Sequence, residues 1–237
     1  LPAELTKDTS PEYILYYQNR LFDPIRLSNK ILADTKSELG SVAYAGQYLQ
    51  NPIPFEGGIL KKDWFVIKNI SPEDLKGVKW DMFIDSAYTD KQQNDPTGFV
   101  IAGELNNELI VRYAGQFWLE FPELLNKISE LRLKFQTMRL FVEPKSTGKS
   151  IVQVLKKQGL NAIELDPTTE SKITRVNAVS PIIEAKRVVL LPDTWNDLLI
   201  DECASFPLGS HDDMLDCLCY AITKLLIRKR TLSYGAT

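Results

Sequence analysis

Two short apolar runs, Phe83-Ile-Asp85 and Phe141-Val-Glu143, each end in a carboxylate, and this pairing restricts the architecture more than any other stretch of the chain. Runs of this kind read as strands buried on both faces. Their terminal acids belong at the edge where an open α/β sheet presents groups to a ligand. A third acidic stretch, His211-Asp-Asp-Met-Leu-Asp216, reads as the start of a helix. Carboxylates that converge from separate elements repel one another unless cations lie between them. Hard oxygen donors of this type suit Mg²⁺ or Mn²⁺.

The pattern around these runs defines a domain. Trp80–Ser86 reads as a strand. Thr97–Glu104 and Glu108–Trp118 alternate as two more, joined by hairpin chemistry at Asn106-Asn107. Phe121–Phe135 has apolar residues at helical spacing, and Arg139–Glu143 returns to strand. Thr147–Gln158 reads as a helix, Asn161–Leu165 as a strand, Ser171–Ala185 as a helix and Val188–Leu191 as a last strand. Trp195–Ser205 and Asp212–Arg230 are the closing helices. A three-strand meander followed by alternating helices and strands gives an α/β fold, with a mixed sheet flanked by helices. Residues 64–237 are assigned to this domain. Residues 1–63, with helices expected at Pro11–Phe22 and Leu27–Leu39 and scattered aromatics, are assigned to an N-terminal arm or linker. Ser71 reads as the N-cap of a single turn, Ser71-Pro-Glu-Asp-Leu75, ahead of the regular pattern.

Each chemical candidate also has a plainer reading. Asp85 serves equally as a turn aspartate, and Glu143 has Lys145 as an ordinary partner. The stretch Glu143-Pro-Lys-Ser-Thr-Gly-Lys149-Ser150 ends like a phosphate-binding loop. It carries Glu143 where such a loop needs a glycine, so the motif fails at its start. The helix after it could still favour phosphate at its N-terminus. Asp212, Asp213 and Asp216 share one helical turn. The positive end of a helix accounts for Asp212 and Asp213 but less well for Asp216, which borders an apolar face. His211 is the sole histidine, and no nucleophile-elbow sequence accompanies it, which excludes the common serine and cysteine hydrolases. It reads as support for a metal site or as a helix cap.

The net charge of −3 gives no global field for nucleic acid, although metal ions and a local basic patch can neutralise phosphate where chemistry occurs. Cys203, Cys217 and Cys219 lie in apolar helical sequence without metal-type spacing and are expected to be buried thiols in a reducing cytoplasm. No run approaches bilayer length and no secretory signal is evident, so a soluble protein is expected. The chain opens on Leu1 rather than Met, as expected of a fragment or processed product.

Taken together, Asp85 with the downstream Asp95-Pro-Thr-Gly98, Val142-Glu143-Pro-Lys145, Lys172-Ile-Thr-Arg175, His211 to Asp216 and Gln47-Tyr-Leu-Gln-Asn-Pro52 resemble the nuclease domain of the large terminase subunit of tailed bacteriophages and prophages. The resemblance covers nearly the whole chain. It implies a ribonuclease H-like fold and an endonuclease that hydrolyses DNA phosphodiester bonds with two Mg²⁺ or Mn²⁺ ions, cutting concatemeric viral DNA during packaging in the host cytoplasm. Asp85 would be the first-strand ligand, Glu143 the later-strand ligand and Asp213 the helix ligand, with Asp216 competing for that place and Asp212 behind both. Lys145, Lys149, Lys172 and Arg175 would contact DNA phosphate, or else form an ordinary solvated face. The implied partners are double-stranded DNA, an ATPase domain that this chain lacks, a small terminase subunit and a portal protein. The rival readings are a Holliday-junction resolvase, which would use the same acids, and a non-catalytic DNA-binding or motor-docking module.

Overall fold

The structure is a computed structural model that describes residues 1–6, 9–51, 58–86, 96–143, 148–166 and 170–227, the side chains of 148–150 excepted. Seven strands form one mixed sheet: β1 (Val66–Ile67), β2 (Asp81–Asp85), β3 (Thr97–Leu105), β4 (Glu108–Phe117), β5 (Arg139–Val142), β6 (Ala162–Glu164) and β7 (Val188–Leu190), in the order β1-β7-β4-β3-β2-β5-β6. The meander β2-β3-β4 is antiparallel, and β5, β6, β7 and β1 join it in parallel. Asn106 and Asn107, with φ of 51° and 66°, turn the β3-β4 hairpin as their chemistry predicts.

Side-chain alternation gives the sheet two apolar faces. Met82, Ile84, Phe99 and Ile101 pack with α2 (Phe121–Phe135) and α3 (Gly148–Lys157). Phe83, Val100, Ala102 and Phe141 pack with α4 (Lys172–Glu184), α5 (Asn196–Ser205) and α6 (Asp213–Ile222). Helix α6 is buried at every position, as expected of a helix that is apolar nearly all round. A π-helical turn, Thr223–Ile227, continues it. The three cysteines are buried and free. Among the described residues, no helix is long and apolar enough to cross a membrane.

The N-terminal region differs from its sequence reading. Only a 3₁₀ turn, Pro11–Tyr16, forms where a helix to Phe22 is expected. Asn19 and Arg20 adopt positive φ, and Leu21 bridges to Gln18 and Glu4, so local turn chemistry overrides the apolar spacing. The next helix, α1 (Asn29–Gln47), runs past its expected end through a kink at Gly40 (φ 76°). The kink seats α1 on α4, where Ser41 N–H donates to Glu184 Oε2 at 2.8 Å. Strand β1, two residues long, is too short for periodicity to announce. Ile59 and Leu60 enter the core on the α6 face.

One close approach sets how α6 lies on the sheet. A β-carbon at Gly98 in β3 would sit 2.9 Å from Asp213 Cβ and overlap the Asp213 carbonyl, so backbone meets backbone there. Gly98→Ala is expected to cost roughly 1–3 kcal/mol by forcing α6 off the sheet. The check is the urea midpoint; an unchanged midpoint would show that the contact has slack.

Candidate active site

Register brings the first two acids together. Asp81 pairs with Arg139 and Ile84 with Val142, and Glu143 N–H donates to Ile84 O at 3.0 Å, so Asp85 and Glu143 leave the sheet side by side. Two residues back, Phe83 and Phe141 stack on the α6 face at 4.9 Å. Alternation therefore turns both acids towards α6. Both are buried, at 2% and 4% exposure. Asp85 is also paired with Gly98, and Asp213 rests on that glycine. Three acids from three elements are thus placed at one end of one sheet face.

One turn further along α6, Asp216 is 1% exposed and held by cations from α4. Arg175 Nη2 donates to Asp216 Oδ1 at 2.6 Å, and Lys172 Nζ lies 3.1 Å from Oδ2. Lys172 also bonds Asp212. Burial alone would lower the Lys172 ammonium, but Asp216 and Asp212 outweigh it and hold it above its usual range. Arg175 follows the same pattern: burial lowers it, and Asp216 leads the causes that raise it. The positive charge that converging carboxylates require is supplied here by two side chains that the sequence directs towards DNA.

Tyr220 completes the cluster. Its hydroxyl donates to Glu143 Oε1 at 2.8 Å and accepts from Arg175 Nη1 at 2.6 Å. Burial and then the Glu143 carboxylate push the phenol up, so it stays a donor. Sequence reasoning places Tyr220 among core residues. Its position four residues after Asp216, on the same helical face, is the signal that could have found it. Cys217 donates to Gly98 O at 3.3 Å, and burial, with Asp85 next, drives its thiol far up.

The other candidates lie apart. His211 does not cap α6; Asp212 occupies the N-cap, and the His211 ring meets Trp118 edge to face at 5.8 Å. The capping role falls instead to Glu202 of α5, which accepts the Leu215 N–H at 2.9 Å. No sequence pattern marks Glu202, because only tertiary packing aims it at the end of α6. Lys145 lies outside the described residues, as do Arg228 to Arg230. Lys149 is in α3, with its side chain outside the description.

The donor set of hard carboxylate oxygens fits a divalent cation such as Mg²⁺ or Mn²⁺. Among the described residues, no three acid, histidine or cysteine side chains stand together as ready metal ligands. Arg175 and Lys172 hold Asp216, and Tyr220 holds Glu143.

A family model of the terminase RNaseH-like domain matches residues 82–225. Among solved structures, the large terminase of one thermophilic bacteriophage superposes with a TM-score of 0.63 at 17% identity, over 86% of this chain and 54% of that one. The chain therefore spans about half the length of that relative. The large terminase nuclease of thermophilic phage G20c with bound magnesium gives 0.55 at 13% identity, over 73% of this chain and 100% of that one. The nuclease domain of the large terminase from bacteriophage SPP1 with bound Mn gives 0.51 at 13% identity, over 70% and 99%. Comparison with curated proteins gives no significant match. At these identities the likeness is one of fold, a ribonuclease H-like mixed α/β sheet.

Burial, with Asp213 and Asp212 adding to it against the Leu215 and Met214 backbone bonds, pushes Glu202 up to about 7 from an ordinary 4.5. The folded chain holds this proton more firmly than the unfolded one. The stability it contributes is present in full below about pH 4.5 and is lost as pH rises through about 7. The full loss is on the order of 3 kcal/mol. Urea unfolding in EDTA should show the wild type weakening from pH 5 to 8 and Glu202→Gln weakening less; parallel pH profiles would refute the assignment.

Proposed function

Because the chain belongs to the terminase RNaseH-like domain family, its matched residues 82–225 making up more than half of it, we propose that it is the nuclease part of a large terminase and hydrolyses phosphodiester bonds of DNA. The observation that carries this reading is the placement of Asp85, Glu143 and Asp213, from β2, the end of β5 and α6, at one end of one sheet face. Buried acids gathered from separate elements cost stability unless cations offset them, and such costs are commonest where a fold serves a ligand.

The residues divide by role. Asp85, Glu143 and Asp213 are the residues that would hold two Mg²⁺ or Mn²⁺ ions. Ions bound there supply Lewis acidity towards the phosphate and an activated water. Asp216 is a positioning residue: its charge is matched by Arg175 and Lys172, which supports Asp213 as the helix ligand. Asp212 pairs with Lys172 and stands outside the ligand set. Tyr220 orients the Glu143 carboxylate, and Arg175 braces Tyr220 from the other side. Lys145 and Lys149, next to Glu143 in the chain, are the cations that would meet phosphate. Cleavage by this chain is expected to show little sequence preference, because nothing in it resembles a base-reading module. Choice of the cut site then rests with partners, for which a small terminase subunit, a portal protein and an ATPase domain are the candidates, acting on concatemeric DNA in the host cytoplasm.

Plasmid digestion tests the proposal. The wild type should nick and linearise plasmid with Mg²⁺ or Mn²⁺ and not in EDTA. Asp85→Asn, Glu143→Gln and Asp213→Asn should each lose on the order of 100-fold or more, since even outer partners of such sites cost 10–100-fold. Asp216→Asn should instead lower the melting temperature, through a loss of about 3 kcal/mol of stability, because it strands Arg175. Absence of metal-dependent cutting, or full activity in Asp85→Asn, would end the nuclease reading. A strong preference for branched over linear DNA would replace it with a junction resolvase.

A further inference from the structure

Among the four tryptophans, Trp64, Trp80 and Trp195 are each 7% exposed, whereas Trp118 is 56% exposed. Its position follows from register. Gly98 pairs with Asp85 on one side and with Gln116 on the other, and Trp118 follows Gln116 by two residues. Side chains repeat on a face every second residue and strands lie about 4.8 Å apart, so Trp118 emerges towards the Asp85 face roughly 12 Å from Asp85. From the segment just ahead of α6 comes His211, two residues before Asp213, with its ring nearly perpendicular to the indole (85°) at 5.8 Å. The imidazole braces the indole, and more than half of the tryptophan still faces solvent. Leu208, in the loop leading to His211, is also exposed, at 85%.

A lone exposed apolar residue is ordinary. A braced indole at the mouth of an acidic site on a chain of net charge −3 is more informative. Such a surface repels phosphate except where cations stand, so affinity for a nucleic acid strand must come in part from uncharged contacts. An indole supplies one to any base, because every base has a π-face and stacking tolerates sequence. We propose that Trp118 is a stacking shelf for an unpaired nucleobase of the DNA strand lying at the acids, at a strand end or where the duplex has opened. A paired base within a duplex has both faces covered and offers only its edges, so the shelf discriminates by pairing state and not by sequence. The choice of DNA as ligand rests on the nuclease reading above.

The test uses the whole chain in EDTA, so that binding is read without cleavage. A short single-stranded oligonucleotide and a blunt duplex of the same sequence are titrated while acrylamide quenching reports the exposed tryptophan. The single strand should shield Trp118 and the blunt duplex should not. Trp118→Ala should weaken single-strand binding about tenfold. The salt slope should stay unchanged, since no phosphate contact is lost. Trp118→Phe should restore most of the affinity and abolish the quenching response, which separates stacking from misfolding. Equal shielding by the blunt duplex, unchanged binding by Trp118→Ala, or no binding of either DNA would overturn the shelf. Cleavage assayed separately with Mn²⁺ keeps the two readings apart: cutting with an unshielded Trp118 sinks the shelf alone, and shielding without cutting sinks the nuclease alone.

Discussion

The register between β2 and β5 is the constraint on which the site depends. Asp81 and Arg139 face each other at the start of the two strands, joined by two hydrogen bonds of 2.9 and 2.5 Å. Four residues on, the same alignment sets Asp85 beside Glu143. A slip of one residue would turn Glu143 to the opposite face, into the layer of Ile84 and Val142 against α2 and α3. A fork of two parallel bonds tolerates little sliding. The ion pair at one end of the strands thus fixes the spacing of acids at the other.

Charge is the second condition. The buried carboxylates Asp85, Glu143, Asp213 and Asp216 and the Tyr220 phenol gather along one face of an entirely buried helix, and burial works against each charge. Arg175 and Lys172 answer this from α4: one reaches Asp216, Glu143 and Tyr220, the other Asp216 and Asp212. The cost of gathering acids is met by cations within the same fold, and Glu202 adds a cap from below. The candidate site is therefore part of the core, and its acids sit where the helix is most firmly held.

Much of this was legible in the residues. Helix Phe121–Phe135 matches its expected bounds because Leu124, Ile128 and Leu131 repeat at helical spacing over a full stretch. The strand-end acids were legible for a related reason: an apolar run that stops at a carboxylate has few places to go. Long-range direction was not legible. Whether Lys172 and Arg175 face solvent or α6 depends on how α4 packs, and nothing within Lys172-Ile-Thr-Arg175 encodes that. Glu202 was hidden for the same reason. Pro11–Phe22 misled because a turn at Asn19-Arg20 outweighs apolar spacing in so short a segment.

Gly98 carries a consequence for how this fold can drift in evolution. Where α6 crosses β3, main chain touches main chain, so the placement of Asp213 depends on the missing side chain at position 98 as well as on the residues that pack around it. A β-carbon at position 98 would displace α6 whatever side chains pack around it. The closeness of α6 to the sheet is thus owed to the one residue of the alphabet that brings no side chain.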